Sequence, residues 1–300
     1  MDIEPLKIHA IIHGRSSKRG QIIRSLEHFT DDGIVISHSL TDYSFHAEEI
    51  AHSIEADVIL SCGGDGTNHE IVNGILRRPV DDQPKLAFIP AGSGNDFVRS
   101  LTKRTIPDLL DQIRTHSEKA CDVIAIDIQD AKKYALNMCT SGISGRIAQT
   151  ANLRKKYLPT GISYYSAIIE WLFKYQSPEL KIEIGSKSKE GEFFLVACAN
   201  GSYAGNGLGL SPQSTPFNNT MGLTTIGPVS VLDFLRYQST LKKGKMIKDH
   251  RVNYESHNSV RITVQSGELA VEADGESIAI LSTGQSIELT ILPQALKIFA

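Results

Sequence analysis

Cys62-Gly63-Gly64-Asp65-Gly66-Thr67-Asn68-His69-Glu70 is the stretch on which the reading of this 300-residue chain turns. Before it, Asp57-Val58-Ile59-Leu60-Ser61-Cys62 is short, apolar and partly β-branched, the signature of a buried strand. After it, Ile71, Val72, Ile75 and Leu76 recur at helical spacing, and Arg77-Arg78-Pro79 closes the helix. Gly63, Gly64 and Gly66 remove the β-carbons where strand turns into helix, so a ligand can approach bare backbone there. A helix N-terminus at that point offers unpaired N–H groups and the positive end of a dipole, which suit phosphate. Asp65 is the odd member of such a cradle; its carboxylate makes chemical sense if Mg²⁺ stands between it and the phosphates. A structural reading stands beside this one. Thr67-Asn68-His69-Glu70 has the spacing of a capping box, and Gly-Gly and Asp-Gly are ordinary turn formers. The box accounts for Thr67 and Glu70, but it does not require three glycines around an aspartate.

Outward from this unit the pattern repeats. Residues 7–12 form a first strand, followed by His13-Gly14-Arg15-Ser16-Ser17-Lys18-Arg19-Gly20, a basic small-residue loop that reads equally as a phosphate contact or a solvated surface. A helix with Ile22, Ile23, Leu26 and Phe29 inward comes next, then a strand over 33–39, a turn opened by Thr41 and a helix over 46–54. Beyond the central unit, Leu86-Ala87-Phe88-Ile89-Pro90 is a strand, Ala91-Gly92-Ser93-Gly94-Asn95-Asp96 a loop, and Phe97, Val98 and Leu101 begin a helix that Asn95 can cap. Strands alternating with helices predict a parallel sheet with right-handed crossovers. Loops at the carboxyl ends of its strands share one edge, where such folds bind ligands. Two Gly-rich loops on that edge make a cleft.

From about Asp122 the pattern changes to short alternating stretches at 181–184, 193–199, 260–264, 268–273, 277–281 and 286–292, with helical patterns over 164–175 and 231–241. Many short strands separated by Gly and Asn predict an antiparallel sandwich. Ala273-Asp274-Gly275-Glu276 lies between two of them, and Asp-Gly there is a hairpin signal.

Composition excludes several classes. With 41% hydrophobic and 22% charged residues the chain is an ordinary globular protein, and its net charge of −3 argues against a nucleic-acid partner. No apolar run reaches the ~18 residues of a membrane-spanning helix, and Met1-Asp2-Ile3-Glu4-Pro5 does not read as a signal peptide. Cys62, Cys121, Cys139 and Cys198 are scattered and read as reduced core thiols of a cytoplasmic protein. The histidines form no metal-ligand spacing.

Three motifs therefore stand in order: Gly63-Gly64-Asp65-Gly66-Thr67 with Glu70; Pro90, Gly92-Ser93, Asn95-Asp96-Phe97 and Arg99; and Asp274-Gly275-Glu276. Thr41 with His46-Ala47, Asn137 with Gly142, and Ala199-Asn200-Gly201 with the glycines of 205–209 accompany them. Across essentially the whole chain this set resembles the diacylglycerol kinase catalytic-domain superfamily, and within it the bacterial soluble lipid kinases, with sphingosine and ceramide kinases as relatives. The Gly-Gly-Asp-Gly loop alone is shared with NAD kinases and phosphofructokinases; the ordered trio is more specific.

The resemblance implies a three-layer α/β domain with a parallel sheet, like that of NAD kinases and phosphofructokinases, over 1–122 and completed by about 290–300. It implies a β-sandwich lipid-substrate domain over 123–289, with the active site in the cleft between the domains. The implied chemistry is transfer of the ATP γ-phosphoryl group to a lipid hydroxyl, diacylglycerol-like or related, in phospholipid metabolism. Thr41, Gly63, Gly64, Asp65, Gly66, Thr67, Ser93 and Asn95 are the implied nucleotide contacts, with Mg²⁺ accompanying ATP. Asp65 and Asp96 are the implied catalytic carboxylates beside Glu276, the base for the hydroxyl proton, so the Asp274-Gly275 turn also presents Glu276. The expected partners are ATP, a lipid alcohol and, transiently, a membrane surface, with a homodimer left open. Leu153-Arg154-Lys155-Lys156-Tyr157-Leu158 and Leu241-Lys242-Lys243-Gly244-Lys245-Met246 mix positive charge with apolar residues and read either as contacts to anionic headgroups or, more commonly for such stretches, as solvated faces. The chain departs from the family pattern in three places. The first loop begins His13-Gly14 instead of Asn-Pro, His69 stands where Asn is common, and Asn218-Asn219-Thr220-Met221-Gly222-Leu223 lacks the carboxylates that hold a structural Mg²⁺ in many bacterial members. The rival readings are an NAD kinase-like enzyme and a nucleotide- or lipid-binding regulator without catalysis.

Overall fold

The computed structural model describes residues 4–27, 33–92, 94–101, 105–129, 131–154 and 157–300. It divides into two units, Met1–Asp122 with Gln294–Ala300, and Val123–Pro293.

The first unit runs β1 (Leu6–Ile12), α1 (Arg19–Glu27), β2 (Ile34–Leu40), α2 (His46–Ser53), β3 (Val58–Gly63), α3 (Asp65–Leu76), β4 (Lys85–Pro90), α4 (Asp96–Arg99) and α5 (Ile106–Arg114). The strands lie parallel in the order β2-β1-β3-β4, and the final segment adds to β4, Ile298 pairing with Leu86. Every residue of β3 is buried, because helices cover both faces of a parallel sheet. On one face Ile8, Ala10, Ile12, Leu60 and Cys62 pack against Ile22 and Leu26 of α1 and Leu110 and Ile113 of α5. The alternate residues Ile11, Ile59 and Leu86, also fully buried, take the opposite face by the two-residue period, and α2 and α3 pack there. The two helices touch closely: a β-carbon on Gly74 would lie 2.4 Å from the Glu48 carbonyl oxygen. The helix expected from Phe97 through Leu101 is a single turn, because the amides of Ser100 and Leu101 fold back onto the carbonyls of Phe97 and Val98.

The second unit is bounded by two strands shared with the first. They are β5 (Lys119–Ile128) and, at the far end of the chain, Ser286–Ile298. Between them come β6 (Ala131–Ala135), β7 (Met138–Gly142), α6 (Ile143–Arg154), α7 (Thr160–Lys174), β8 (Glu179–Ile184), β9 (Lys187–Glu192), β10 (Leu195–Ala199), β11 (Met221–Ile226), α8 (Val231–Leu241), β12 (Val252–His257), β13 (Ser259–Ser266), β14 (Glu268–Ala273) and β15 (Glu276–Ser282), so the last strand is β16. Where the chain passes between units, the Asp122 carboxylate accepts the Gln294 N–H at 2.8 Å. One antiparallel sheet has the order β12-β11-β10-β7-β14-β15; the other joins β16-β13-β8-β9, with β5 pairing to β16 and β6. Val196, Cys198, Leu223 and Val271 of the first sheet share a core with Leu180, Ile182, Val260 and Ile262 of the second. The outer face of the first sheet is covered too: Leu195, Ala197 and Ala199 pack with Ile147, Ala167, Tyr237 and Leu241 of α6, α7 and α8. The fold class is the expected one, an α/β unit with a parallel sheet followed by an antiparallel β-sandwich.

Candidate active site

Four loops meet at the carboxyl edge of the parallel sheet. The His13 amide donates to the Cys62 carbonyl at 3.0 Å, and the amides of Ala91 and Gly92 donate to Gly63 at 2.8 and 3.0 Å. Ser16 Oγ and Lys18 Nζ reach the carbonyls of Ala91 and Pro90 at 3.1 and 3.3 Å. Thr41 Oγ1 accepts the Gly14 N–H at 3.2 Å. The first loop's unusual Gly14 has a steric reason, since a β-carbon there would sit 2.1 Å from the Thr41 carbonyl oxygen. The same argument explains the two Gly-rich loops. A β-carbon on Gly92 would lie 2.4 Å from Gly64 Cα, and one on Gly63 would lie 2.3 Å from Thr67 Oγ1. Bare backbone thus packs on bare backbone at the head of α3. Thr41, Gly63, Gly64, Asp65, Gly66, Thr67, Asn95 and Asp96 all belong to this edge; Ser93 lies outside the described residues.

The carboxylates here differ from the expected arrangement. No capping box forms at Thr67 and Glu70. The helix starts at Asp65 with Gly64 as its N-cap and no side-chain cap, which makes Thr67 an interior residue. Glu70 instead accepts the N–H groups of Phe45 at 2.9 Å and Ala47 at 3.1 Å, and so caps the neighbouring α2, whose own N-cap Phe45 offers none. Asn95 does not cap α4 either. It adopts a left-handed conformation at φ 56 and turns its amide onto the Gly92 carbonyl at 2.8 Å. Asp65 supplies that cap from the other motif: its Oδ1 accepts the Asp96 N–H at 2.8 Å and the Phe97 N–H at 3.4 Å. Asp96 is buried, with its carboxylate 3.3 Å from Arg99.

In the second unit Asp274 and Gly275 form the expected two-residue hairpin, both at positive φ (52 and 90), between β14 and β15. The turn is legible in the sequence; what anchors it is not. The buried Asp274 carboxylate accepts the N–H groups of Leu136, Asn137 and Met138 at 2.9, 2.9 and 3.0 Å. Glu276, half-buried, accepts from Asn152 of α6 at 3.2 Å. Glu272, two residues before the turn, is buried and accepts the Gly275 N–H at 2.7 Å. Desolvation pushes its carboxyl up to about 7, reinforced by the charges of Asp274 and Glu276. Asp274 and Glu272 carried no local signal of burial, because the segments that cover them, residues 136–138 and α6, are remote in sequence.

The model of the diacylglycerol kinase catalytic domain matches residues 7–126, and that of the YegS C-terminal NAD kinase beta sandwich-like domain matches residues 137–300. The chain belongs to the diacylglycerol kinase catalytic-domain superfamily. It is 26% identical over 268 residues to a diacylglycerol kinase of Bacillus subtilis, covering 88% of this chain and 86% of the relative. It is 27% identical over 293 residues to the probable lipid kinase YegS of Escherichia coli, covering 96% and 93%. Among solved structures it is similar in fold to a putative diacylglycerol kinase from Bacillus anthracis (TM-score 0.73, 23% identity, covering 99% of this chain and 98% of that one). The yeast NADH kinase complexed with NADH has a related fold (TM-score 0.57, 13% identity, covering 98% and 83%).

For a member of this kinase superfamily the edge of the first unit fits a nucleotide. Gly63, Gly64 and Gly92 leave no room for β-carbons between them and Thr67, so the backbones of both loops close on the head of α3, which has no side-chain cap competing for its N–H groups. Asp65 offers a hard oxygen donor suited to Mg²⁺ alongside nucleotide oxygens. Among the described residues no group of three or more His, Cys, Asp or Glu side chains is placed to hold a metal without such a ligand. A separate cleft of about 520 Å³, lined by Lys7, Ile34, Asp57, Arg114 and His116 among others, opens at the opposite, amino-terminal edge of the sheet. No motif residue lines it. The four cysteines are buried free thiols, and burial pushes Cys62 and Cys198 up to about 12.

Proposed function

We propose that this protein is an ATP-dependent lipid kinase that transfers the γ-phosphoryl group to the hydroxyl of a diacylglycerol-like or related lipid alcohol. The observation that carries the reading is the Gly64–Gly92 contact at the uncapped head of α3, where both Gly-rich motifs offer backbone to one ligand. Names of the curated relatives support the lipid class of acceptor.

Phosphoryl transfer asks mainly for positioning and for neutralisation of charge. The N–H groups of the glycine loops and the head of α3 would hold the phosphates, with Thr41, Thr67, Ser93 and Asn95 around them. Mg²⁺, held by Asp65 and nucleotide oxygens, would supply neutralising positive charge when bound. Asp65 also keeps the second motif in place through the Asp96 and Phe97 amides, and Asp96 is fixed beside Arg99. Glu276 would accept the proton of the lipid hydroxyl as its oxygen attacks the γ-phosphorus, with ADP leaving. Asn152 orients the Glu276 carboxylate.

A lipid alcohol lives in a bilayer, and α7 suits a bilayer surface. Ile162, Tyr165, Ile169 and Phe173, spaced three or four residues apart, are 57%, 61%, 61% and 76% exposed. Leu153 and Tyr157 beside them are exposed as well, as are Lys242 and Lys243 after α8; Lys155 and Lys156 lie outside the described residues. The whole reading is tested by incubating the protein with radiolabelled ATP, Mg²⁺ and a panel of lipid alcohols. Labelled lipid phosphate is the expected product. Labelled NADP from added NAD would assign the enzyme to the NAD kinases, and ATP binding without transfer to any acceptor would make it a regulator.

A further inference from the structure

The groups around Glu272 make an arrangement that the reaction as described does not use. Glu272 lies directly across from Thr140 in the β14–β7 pairing, and Ser144, in the first turn of α6, is hydrogen-bonded to Thr140. Glu272 Oε1 is in short contact with Thr140 Oγ1, which lies 2.6 Å from Ser144 Oγ; Glu272 Oε2 accepts the Gly275 N–H at 2.7 Å. A threonine hydroxyl has one proton, so Thr140 cannot donate to both neighbours. Two arrangements satisfy every atom. With Glu272 ionised, Ser144 donates to Thr140 and Thr140 donates to the carboxylate. With Glu272 neutral, its O–H donates to Thr140 and Thr140 donates to Ser144. Passing from the neutral to the ionised form sends one proton from half-buried Ser144 to water, and each hydroxyl keeps one. The Gly275 bond survives in both.

We propose that Glu272 is a positioning residue for Glu276, holding the Asp274–Gly275 turn by the Gly275 amide and exchanging a proton with solvent through Thr140 and Ser144. The proposal rests on the lipid-kinase reading only in assigning Glu276 as the base. The charges facing Glu272 are of one sign. Asp274 in the turn and Glu276 at the start of β15 are carboxylates, β7 contributes only the Cys139 thiol, and on α6 Arg146 is paired with Glu268 at the far end of β14. Among the described residues no cation forms an ion pair with Glu272. Burial raises its proton affinity and these like charges add to the rise, to about 7. An ionised Glu272 places negative charge behind Glu276 and strengthens that carboxylate's attraction for the hydroxyl proton. Turnover then rises as pH passes about 7. Stability moves the other way. A folded carboxyl at about 7 against 4.5 when unfolded binds more protons in the folded state across that window, so stability falls as pH rises through it.

Glu272→Gln separates the parts, because a neutral amide can accept from Gly275 and donate to Thr140. Chemical unfolding of the full chain between pH 4.5 and 8.5 should show the wild type losing on the order of 10²-fold in folding equilibrium constant relative to Glu272→Gln. In lipid phosphorylation assays the wild-type kcat should climb near pH 7, while Glu272→Gln stays on the low-pH plateau. Glu272→Ala, which also loses the Gly275 bond, should fall about tenfold further at every pH with ATP affinity retained. Parallel stability curves for wild type and Glu272→Gln would overturn the proton exchange, and the same pH step in both would overturn the coupling to Glu276. If the wild type phosphorylates no lipid alcohol, the lipid-kinase reading fails by itself, and the unfolding curves still decide whether Glu272 holds the proton.

Discussion

Asp65 Oδ1 accepts the amide hydrogens of Asp96 and Phe97, so its replacement by alanine removes both a charge and the cap of α4. Asparagine keeps an acceptor in the same place and removes only the charge. If Asp65 serves Mg-nucleotide, Asp65→Asn and Asp65→Ala should each lower kcat by about 10²-fold or more, and only Asp65→Ala should also lower the unfolding midpoint. Near-normal turnover in Asp65→Asn would leave Asp65 as a cap alone. The same logic applies to Glu276. Glu276→Gln preserves shape and the bond from Asn152 but cannot take a proton, so kcat on the true lipid should fall by about 10²-fold or more with little change in ATP affinity. Steady-state kinetics together with direct ATP binding check it. A near-normal kcat would return Glu276 to the role of a hairpin residue.

At the scale of elements, α3 and α7 show how differently a helix can be used. α3 buries eight of its residues, including Thr67, Asn68 and His69, and puts its head at the meeting point of the loops. α7 buries Ala167 and Ile168 on one side and leaves Ile162, Tyr165, Ile169 and Phe173 uncovered on the other. An apolar side chain moved fully from water into lipid contributes about 1.5–3 kcal/mol, so breaking the stripe at one position should weaken partitioning about tenfold. Ile169→Glu and Phe173→Glu should therefore reduce sedimentation with phosphatidylglycerol vesicles by that factor while leaving the unfolding midpoint nearly unchanged. Undiminished vesicle binding by both variants would remove α7 from the membrane surface.

For the molecule as a whole, the fold is expected to hold without a metal of its own. The segment Asn218-Asn219-Thr220-Met221 offers only amide, hydroxyl and thioether groups, too weakly charged to hold Mg²⁺ away from nucleotide. The unfolding midpoint of the nucleotide-free chain should thus be the same in EDTA as in millimolar Mg²⁺. A rise of several degrees with Mg²⁺ would reveal a structural site.

Much of this molecule follows from local rules. Buried parallel strands read as apolar runs, so β1, β3 and β4 and the glycine loops after them are visible in sequence, and steric exclusion at Gly63, Gly64 and Gly92 explains why those loops are glycine-rich. The Asp274-Gly275 hairpin is visible for the same kind of reason, since two successive positive φ angles favour such residues. β7 was not visible: Met138-Cys139-Thr140-Ser141-Gly142 is covered on both faces and carries no polar alternation to mark it as a strand. The carboxylates were the least legible. In Glu268-Leu269-Ala270-Val271-Glu272-Ala273 the two-residue period puts Glu272 on the face opposite Leu269 and Val271, where a lone sheet would meet water. That face is instead covered by α6, whose Gly145 lies so close that a β-carbon would sit 2.3 Å from the Ala270 carbonyl oxygen. Which carboxylate caps a remote helix, which anchors a turn and which is driven to keep its proton depends on neighbours far away in sequence. Desolvation and hydrogen bonding act through space, so only the tertiary structure decides them.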